Sequence, residues 1–219
     1  MNYEKQQLYL HRIMCAIGGF IGAYAILGSA HMFGSAQTGN LIETVLCLLG
    51  GNLLEGLLRV CGLLLYVLGI LLCILIQKKT RLNAQRYAIL VDLLGMVLVC
   101  FLPPGQNLIL YLLPLFFMMA TQWTAFHGVG DYSSSTIFST NNLKQMTISF
   151  AEYYLEGKHN IQKLYRGKFF AASLIWYHLG VAFSFLSHLL AGKFSTLLCV
   201  PLALGALLMT RPSAIQKTG

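Results

Sequence analysis

The stretch Gly28-Ser29-Ala30-His31-Met32-Phe33-Gly34-Ser35-Ala36-Gln37-Thr38-Gly39-Asn40-Leu41 decides the fold of this chain, because it is polar and almost uncharged between strongly apolar segments. We call it motif one. A second stretch of this kind, motif two, is Gly130-Asp131-Tyr132-Ser133-Ser134-Ser135-Thr136-Ile137-Phe138-Ser139-Thr140-Asn141-Asn142-Leu143. We interpret both as breaks in membrane helices, since non-helical backbone at membrane depth is tolerated only against protein or a water-filled cavity. Ordinary surface loops rich in Ser and Gly are the alternative.

The composition predicts an integral membrane protein. Of 219 residues, 57% are hydrophobic and 10% are charged, and the mean hydropathy is +0.67, whereas soluble domains carry about 25% charged residues. We therefore expect a single membrane domain over residues 1–219 with the lipid bilayer as its partner. The net charge of +8 does not indicate a nucleic-acid partner, because Lys and Arg gather in the short loops, as the positive-inside rule describes.

The apolar segments predict an all-α, polytopic fold of six transmembrane helices plus two short motif helices. The two short helices, 41–49 and 143–155, do not reach the roughly 20 residues needed to cross a bilayer core. The six spans lie at 13–30, 57–76, 87–102, 108–126, 169–190 and 194–209.

Charge in the loops predicts the orientation. With six crossings, the N-terminus, the loops at 77–86 and 156–168, and the C-terminus fall on one side and hold nearly all Lys and Arg. The positive-inside rule makes that side cytoplasmic, so both termini are expected in the cytoplasm.

The two motifs also predict an internal repeat. Tyr24, Gly28, Thr38, Asn40 and Leu41 have the same spacing as Phe126, Gly130, Thr140, Asn142 and Leu143. Each repeat, at about 12–103 and about 108–211, would hold three spans, so the second would be inverted relative to the first. Inverted repeats with broken helices are typical of transporters whose site lies near the midplane.

Candidate substrate-binding residues come from the motifs and their flanks. Thr and Asn at the start of a helix can cap its free N–H groups. A helix N-terminus inside the membrane also favours an anionic group. The alternative is that these residues only cap their helices. An acidic side chain in a membrane helix costs roughly 3 kcal/mol if it faces lipid, so Glu43 should face the protein interior. We hypothesise that Glu43 forms an ion pair with Lys144. The candidates are Gln37, Thr38, Asn40, Glu43, Gln122, Trp123, Thr140 and Asn142.

Four further residues are candidates for proton or ion coupling, namely Asp92, His31, His127 and Asp131. Asp92 lies in an apolar span, where an acid faces the protein interior or is solvated near a helix end. The histidines lie near polar breaks and could relay protons. We expect no metal, since no closely spaced ligand pair exists, and no cofactor. Catalytic motifs are absent, so we expect no enzyme.

The chain resembles the YoaK-like family of small bacterial membrane proteins. The resemblance rests on Gly18-Gly19-Phe20-Ile21-Gly22-Ala23-Tyr24, on the F-x-x-A-Q-T-G-N element from Phe33 to Asn40, on Thr121-Gln122-Trp123, and on Thr140-Asn141-Asn142-Leu143. Two positions depart from that family's pattern, because Gly22 stands where an acid is frequent and Asn141 where a glycine is frequent. The resemblance implies a multi-span protein of the bacterial cytoplasmic membrane and supplies no substrate.

We therefore predict a transporter for a small polar or anionic solute, with the two motifs meeting near the membrane midplane. A small ion channel is one alternative, since Gly18-Gly19-x-x-Gly22-Ala23 and Thr136–Thr140 are similar to elements of fluoride channels. A membrane sensor or structural protein without transport is another. The glycines of the first span also suggest a homodimer, because small residues let helices approach closely.

Overall fold

The computed structural model describes residues 3–28, 37–102 and 108–210. This part of the chain is almost entirely helical, which confirms the all-α prediction. The helices are α1 Tyr3–Gly28, α2 Gln37–Leu49, α3 Leu53–Lys79, α4 Ala84–Phe101, α5 Leu108–Ala125, α6 Thr140–Leu155, α7 Ile161–Ala191 and α8 Val200–Met209. A short hairpin of β1 Gly128–Val129 and β2 Tyr132–Ser133 follows α5, and a 3-10 segment, Gly192–Cys199, joins α7 to α8.

Several helices have the length and composition of membrane spans. Four segments of the described chain are long and apolar enough to cross a bilayer, namely Tyr3–Gly28, Leu53–Lys79, Ala84–Phe101 and Ile161–Met209. The apolar part of α5, Leu112–Ala125, is shorter. These helices indicate a membrane protein.

The helix boundaries differ from the predicted ones where polar residues continue a helix beyond its apolar run. Helix α1 already begins at Tyr3 and α7 at Ile161. The last predicted span, 194–209, is divided, because its first half is 3-10 helix and α8 starts only at Val200. Pro201 stands in the first turn of α8, where its missing N–H costs nothing.

Helices α1 and α7 pack along each other in the same direction. Near their starts the His11 ring stacks on Phe169, with 5.4 Å between the ring centroids. At the far ends the Tyr24 hydroxyl donates a hydrogen bond of 3.2 Å to the Lys193 carbonyl. Helices α3 and α5 form a second such pair, in which the Cys73 thiol donates to the Thr121 carbonyl at 3.8 Å.

Glycines allow the closest approach in the first pair. A Cβ atom on Gly19 would lie 2.0 Å from the Tyr177 carbonyl oxygen, and one on Gly180 would lie 1.9 Å from the Ala16 carbonyl oxygen. The glycine face of α1 is therefore covered by α7 of the same chain. It is not available for the homodimer contact that the glycine spacing suggested.

The ends of three helices lie together on one side. The Gln6 side chain donates to the Met209 carbonyl, and Gln85 donates to the Gln7 side chain at 3.0 Å. The start of α1, the start of α4 and the end of α8 therefore share one end of the bundle. Helix α4 also holds the 3-10 segment, since the Thr196 hydroxyl donates to the Met96 carbonyl at 2.8 Å.

Candidate functional site

Part of motif two is a non-helical segment inside the helical bundle. After the β1–β2 hairpin the chain turns inward, and Ser134, Thr136 and Ile137 are at most 2% exposed. We call residues 134–138 the buried loop. The hairpin turns at Gly130, whose φ of +55° is one that glycine adopts easily. Because a buried backbone needs hydrogen-bond partners, the surrounding side chains must hold the loop in place.

Hydrogen bonds from Asn142 join the buried loop to the first turn of α6. Its Nδ2 donates to the Ser135 carbonyl at 2.7 Å and to the Phe138 carbonyl at 3.2 Å. Its Oδ1 accepts a hydrogen bond of 3.0 Å from the Ser134 hydroxyl. Both the nitrogen and the oxygen of the side-chain amide therefore form hydrogen bonds with the same loop. Asn142 itself is only 1% exposed.

Gln122 holds the other side of the buried loop from α5. Its Nε2 donates to the Met14 carbonyl of α1 at 2.8 Å and to the Thr136 hydroxyl at 3.0 Å. The loop also rests directly on α1, because a Cβ on Gly18 would lie 2.2 Å from the Thr136 carbonyl oxygen. Gly18 lies roughly 8 Å beyond the start of the apolar span at Ile13, at 1.5 Å per residue. Polar backbone thus reaches well into the apolar part of α1.

His11 extends this polar network along α1. Its Nε2 lies 3.1 Å from the Ser134 hydroxyl, so His11, Ser134 and Asn142 form a continuous hydrogen-bonded chain. Two buried atoms of the network have no partner in the part of the chain that the structure describes, His11 Nδ1 and Gln122 Oε1. Buried polar atoms are nearly always paired, so these two could bind a polar ligand.

The residue that precedes α6 lies beside the middle of α7. Ser139, the residue that precedes α6, lies close to Tyr177 in the middle of α7. A Cβ on Gly22 would lie 3.2 Å from the Tyr177 hydroxyl. The N-terminal end of α6 therefore begins next to α7, with Thr140 and Asn141 exposed and Asn142 buried. The free N–H groups and the dipole of a helix N-terminus favour an anionic group.

A family model described as "Protein of unknown function (DUF1275)" matches residues 10–210. The chain belongs to this family. No curated protein matches the chain, and no solved structure does. The DUF1275 match is consistent with the resemblance to YoaK-like proteins, and it supplies no activity.

In this DUF1275 protein the predicted site residues of the first repeat lie on α2, which packs on α3. Asn40 is buried, and its Nδ2 donates to Gln37 Oε1 at 3.5 Å. Thr38 is exposed. Since α6 packs on α7, the described parts of the two motifs lie against different partner helices. The rest of motif one, with His31, lies outside the described residues.

Glu43 has a different partner from the hypothesised one. Its carboxylate is largely exposed and lies 4.0 Å from the Arg59 guanidinium, which also pairs with Glu55 at 2.7 Å. Among the ion pairs of the described residues none joins Glu43 to Lys144. Arg59 lies on the adjacent helix α3 and supplies the nearer positive charge.

The remaining residues predicted around motif two lie at its edges. Trp123 is 40% exposed, and its ring packs edge-on against Phe138 at 5.4 Å. Thr140, His127 and Asp131 are exposed. Thr140 is not the residue that caps α6, since the cap position is Ser139. Of the predicted residues, the structure brings Gln122 and Asn142 together on the buried loop.

Asp92 lies apart from this network. Its side chain is completely buried in α4, and neither carboxylate oxygen has a hydrogen-bond partner among the described residues. Cys199, at the end of the 3-10 segment, lies within electrostatic range of it. The alternative that Asp92 is solvated near its helix end is therefore wrong in this structure.

Sequence reasoning missed His11, Thr136 and Tyr177. His11 lies in no motif, and Thr136 lies in motif two but was not among the candidate site residues. The roles of both depend on which helix faces the loop. Tyr177 did carry a signal in its spacing from two glycines. Gly167, Tyr177 and Gly180 have the same spacing as Gly56, Tyr66 and Gly69.

Replacing Asn142 by Ala is expected to destabilise the protein by about 2–4 kcal/mol, because the Ser135 and Phe138 carbonyls lose their donor inside the protein. The matched control is Asn141→Ala, since Asn141 is the exposed neighbour with the same side chain. It should change stability by no more than about 0.5 kcal/mol. Thermal unfolding of the purified variants measures both, and equal effects would show that Asn142 does not hold the loop.

Proposed function

We propose that this chain is a transporter of the bacterial cytoplasmic membrane that moves a small polar or anionic solute. One observation carries the proposal: a polar, non-helical loop is held inside an apolar helical bundle by Gln122 and Asn142. Such backbone is tolerated at membrane depth where it lines a path or is covered by protein. Beside this loop, buried atoms of His11 and Gln122 lack hydrogen-bond partners among the described residues, which supports a binding role.

We further propose six crossings and two inverted repeats, with both termini cytoplasmic. The packing of the helices supports the repeats. The repeats match α1 with α5, α2 with α6 and α3 with α7. Under this matching the contact of α1 with α7 corresponds to the contact of α5 with α3, and both contacts are extensive. Under the same matching, the packing of α2 on α3 corresponds to the packing of α6 on α7.

Equivalent glycines at equivalent contacts support the repeats further. A Cβ on Gly56 would meet the Leu48 side chain of α2, and a Cβ on Gly167 would meet the Phe150 side chain of α6. Leu48 follows Asn40 by eight residues, as Phe150 follows Asn142. The correspondence therefore extends from the motifs into the helix that follows each motif helix.

The shared end of the bundle supports the orientation. The start of α1, the start of α4 and the end of α8 lie together, as six crossings require. That end carries the basic loop at 77–86, so the positive-inside rule would make it cytoplasmic. A homodimer stays part of the proposal, through a surface other than the glycine face of α1.

In the proposed mechanism the solute binds at the buried loop. The polar groups that face it are neutral, and the N-terminal end of α6 favours a carboxylate or another anion. Through its polar groups the solute would donate hydrogen bonds to His11 Nδ1 and Gln122 Oε1, two acceptors that lack partners among the described residues. Rearrangement of the two repeats about this site would then open it to one side at a time.

The experiment is uptake of a panel of small polar and anionic solutes into proteoliposomes that contain the purified protein. A transporter gives saturable uptake of one solute class, and that class also raises the melting temperature. A channel gives an unsaturated, electrically detectable flux instead. If neither flux nor stabilisation appears across the panel, the transport proposal is wrong and a sensor or structural role is favoured.

The variant Thr136→Val tests whether the buried loop forms the site. It preserves the shape of the side chain but removes the hydroxyl that accepts from Gln122, and it is expected to lower uptake by about tenfold. The control is Thr147→Val, because Thr147 is exposed and lies about two turns into α6. Unchanged uptake by folded Thr136→Val would place the site elsewhere.

A further inference from the structure

A cavity opens at the end of the bundle where α1 and α7 begin. Its volume is about 680 Å³, and the β1–β2 hairpin closes one side of it. Three cationic side chains line it, Lys5, Arg12 and Lys168, together with the carboxylates of Glu4 and Asp131. Volumes of roughly 300–1,000 Å³ are typical of small-molecule sites. The cavity is distinct from the buried loop.

The cations of this cavity are not neutralised by ion pairs. No carboxylate of the described residues lies within 4.0 Å of Lys5, Arg12 or Lys168, whereas Lys163 nearby is bridged to Glu152 at 3.2 Å. The Nε atom of Arg12 is buried and, among the described residues, has no hydrogen-bond partner. A buried donor on a cation is costly to leave unpaired. The three cations also outnumber the two carboxylates that line the cavity, so the cavity favours an anion.

The remaining wall of the cavity is apolar and aromatic. Tyr132 and Phe169 pack together with 5.2 Å between their ring centroids, and Leu8 lies beside them. The cavity therefore has a cationic part and an apolar part. A ligand that fills both would join an anionic group to an apolar body.

We propose that this cavity binds a phosphate monoester attached to an apolar body. A phosphate monoester presents three terminal oxygens, one for each of the three cationic side chains, whereas a carboxylate presents two. The cations exceed the two carboxylates of the cavity by one charge, so the cavity is cationic on balance. Arg and Lys are the side chains that proteins use for phosphate. The source is either a soluble aromatic phosphate or the head group of a phosphatidic-acid type lipid. The proposal goes beyond transport, since the site would bind its ligand whether or not the chain moves a solute.

Two binding measurements on the full chain distinguish the sources. The first titrates phenyl phosphate into detergent-purified protein by calorimetry, with phenol as the neutral counterpart. The second compares nanodiscs of phosphatidylcholine with and without phosphatidic acid, and counts retained lipids by native mass spectrometry. Binding in the first measurement assigns a soluble ligand, and binding in the second alone assigns the lipid.

The variants Arg12→Gln and Lys168→Gln are expected to weaken the responding measurement by about tenfold each. The control is Lys79→Gln, which loses the same charge at an exposed position outside the cavity and should bind as the wild type does. Lys168 is exposed, so its variant keeps the test available if Arg12→Gln fails to fold. No binding in either measurement, or equal weakening by Lys79→Gln, overturns the proposal. Neither result bears on solute uptake.

Discussion

Gly180→Ala is expected to lower the stability of the protein by about 1–3 kcal/mol. The added methyl group would lie 1.9 Å from the Ala16 carbonyl oxygen, which belongs to helix backbone and cannot turn away as a side chain can. Helices α1 and α7 must therefore separate, and the contacts along both helices weaken together. For a chain of this length the loss corresponds to a fall of roughly 2–12 °C in melting temperature.

The control for this substitution is Gly205→Ala in α8. No atom lies within 4 Å of the position that its Cβ would take. The same change there should be neutral or stabilise the helix by about 0.5–1 kcal/mol, since alanine loses less backbone freedom than glycine. If both variants melt together with the wild type, the close approach of α1 and α7 is not what holds the pair.

Asp92→Leu is expected to raise stability by about 1–3 kcal/mol. Both oxygens of Asp92 are buried without a hydrogen-bond partner among the described residues, and an unpaired buried polar group costs free energy that an apolar side chain does not. The gain is measured as a higher melting temperature. Asp92 is a candidate for proton coupling from the sequence, and in that role the same variant loses coupled uptake while becoming more stable.

The control for Asp92 is Glu55→Leu, in which the acid is paired. Glu55 holds the buried Arg59 guanidinium at 2.7 Å, so its loss leaves that cation without its closest partner. We expect Glu55→Leu to destabilise by about 1–3 kcal/mol, opposite in sign to Asp92→Leu. A destabilising Asp92→Leu would mean that the carboxyl has a partner, such as a bound water or ion, and would contradict the expectation.

The membrane character of the chain followed from sequence because it depends on local properties. Long apolar runs such as 57–76 need no knowledge of their neighbours to be recognised as membrane helices. The helix that contains this run is found at Leu53–Lys79. The motif spacing also singled out Asn142, and the position before motif two singled out Gln122. The structure brings both to one loop.

The partners of these residues could not be predicted, because they depend on which helix faces which. Glu43 lies near Arg59 rather than Lys144, since α2 packs on α3. His11 joins the polar network from the first helix, across more than a hundred residues of sequence. Nothing local to His11 distinguishes it from a histidine at a helix surface.

The sequence by itself determined that this is a helical membrane protein, where its apolar helices lie, and which two polar stretches interrupt them. Hydrophobicity and spacing are properties of neighbouring residues, and they are visible in one dimension. Only the tertiary structure decided that Gly180 meets Ala16, that Asp92 is buried without a partner, and that a buried loop rests on Gly18. Such contacts are set by the close packing of distant segments, which no local pattern specifies.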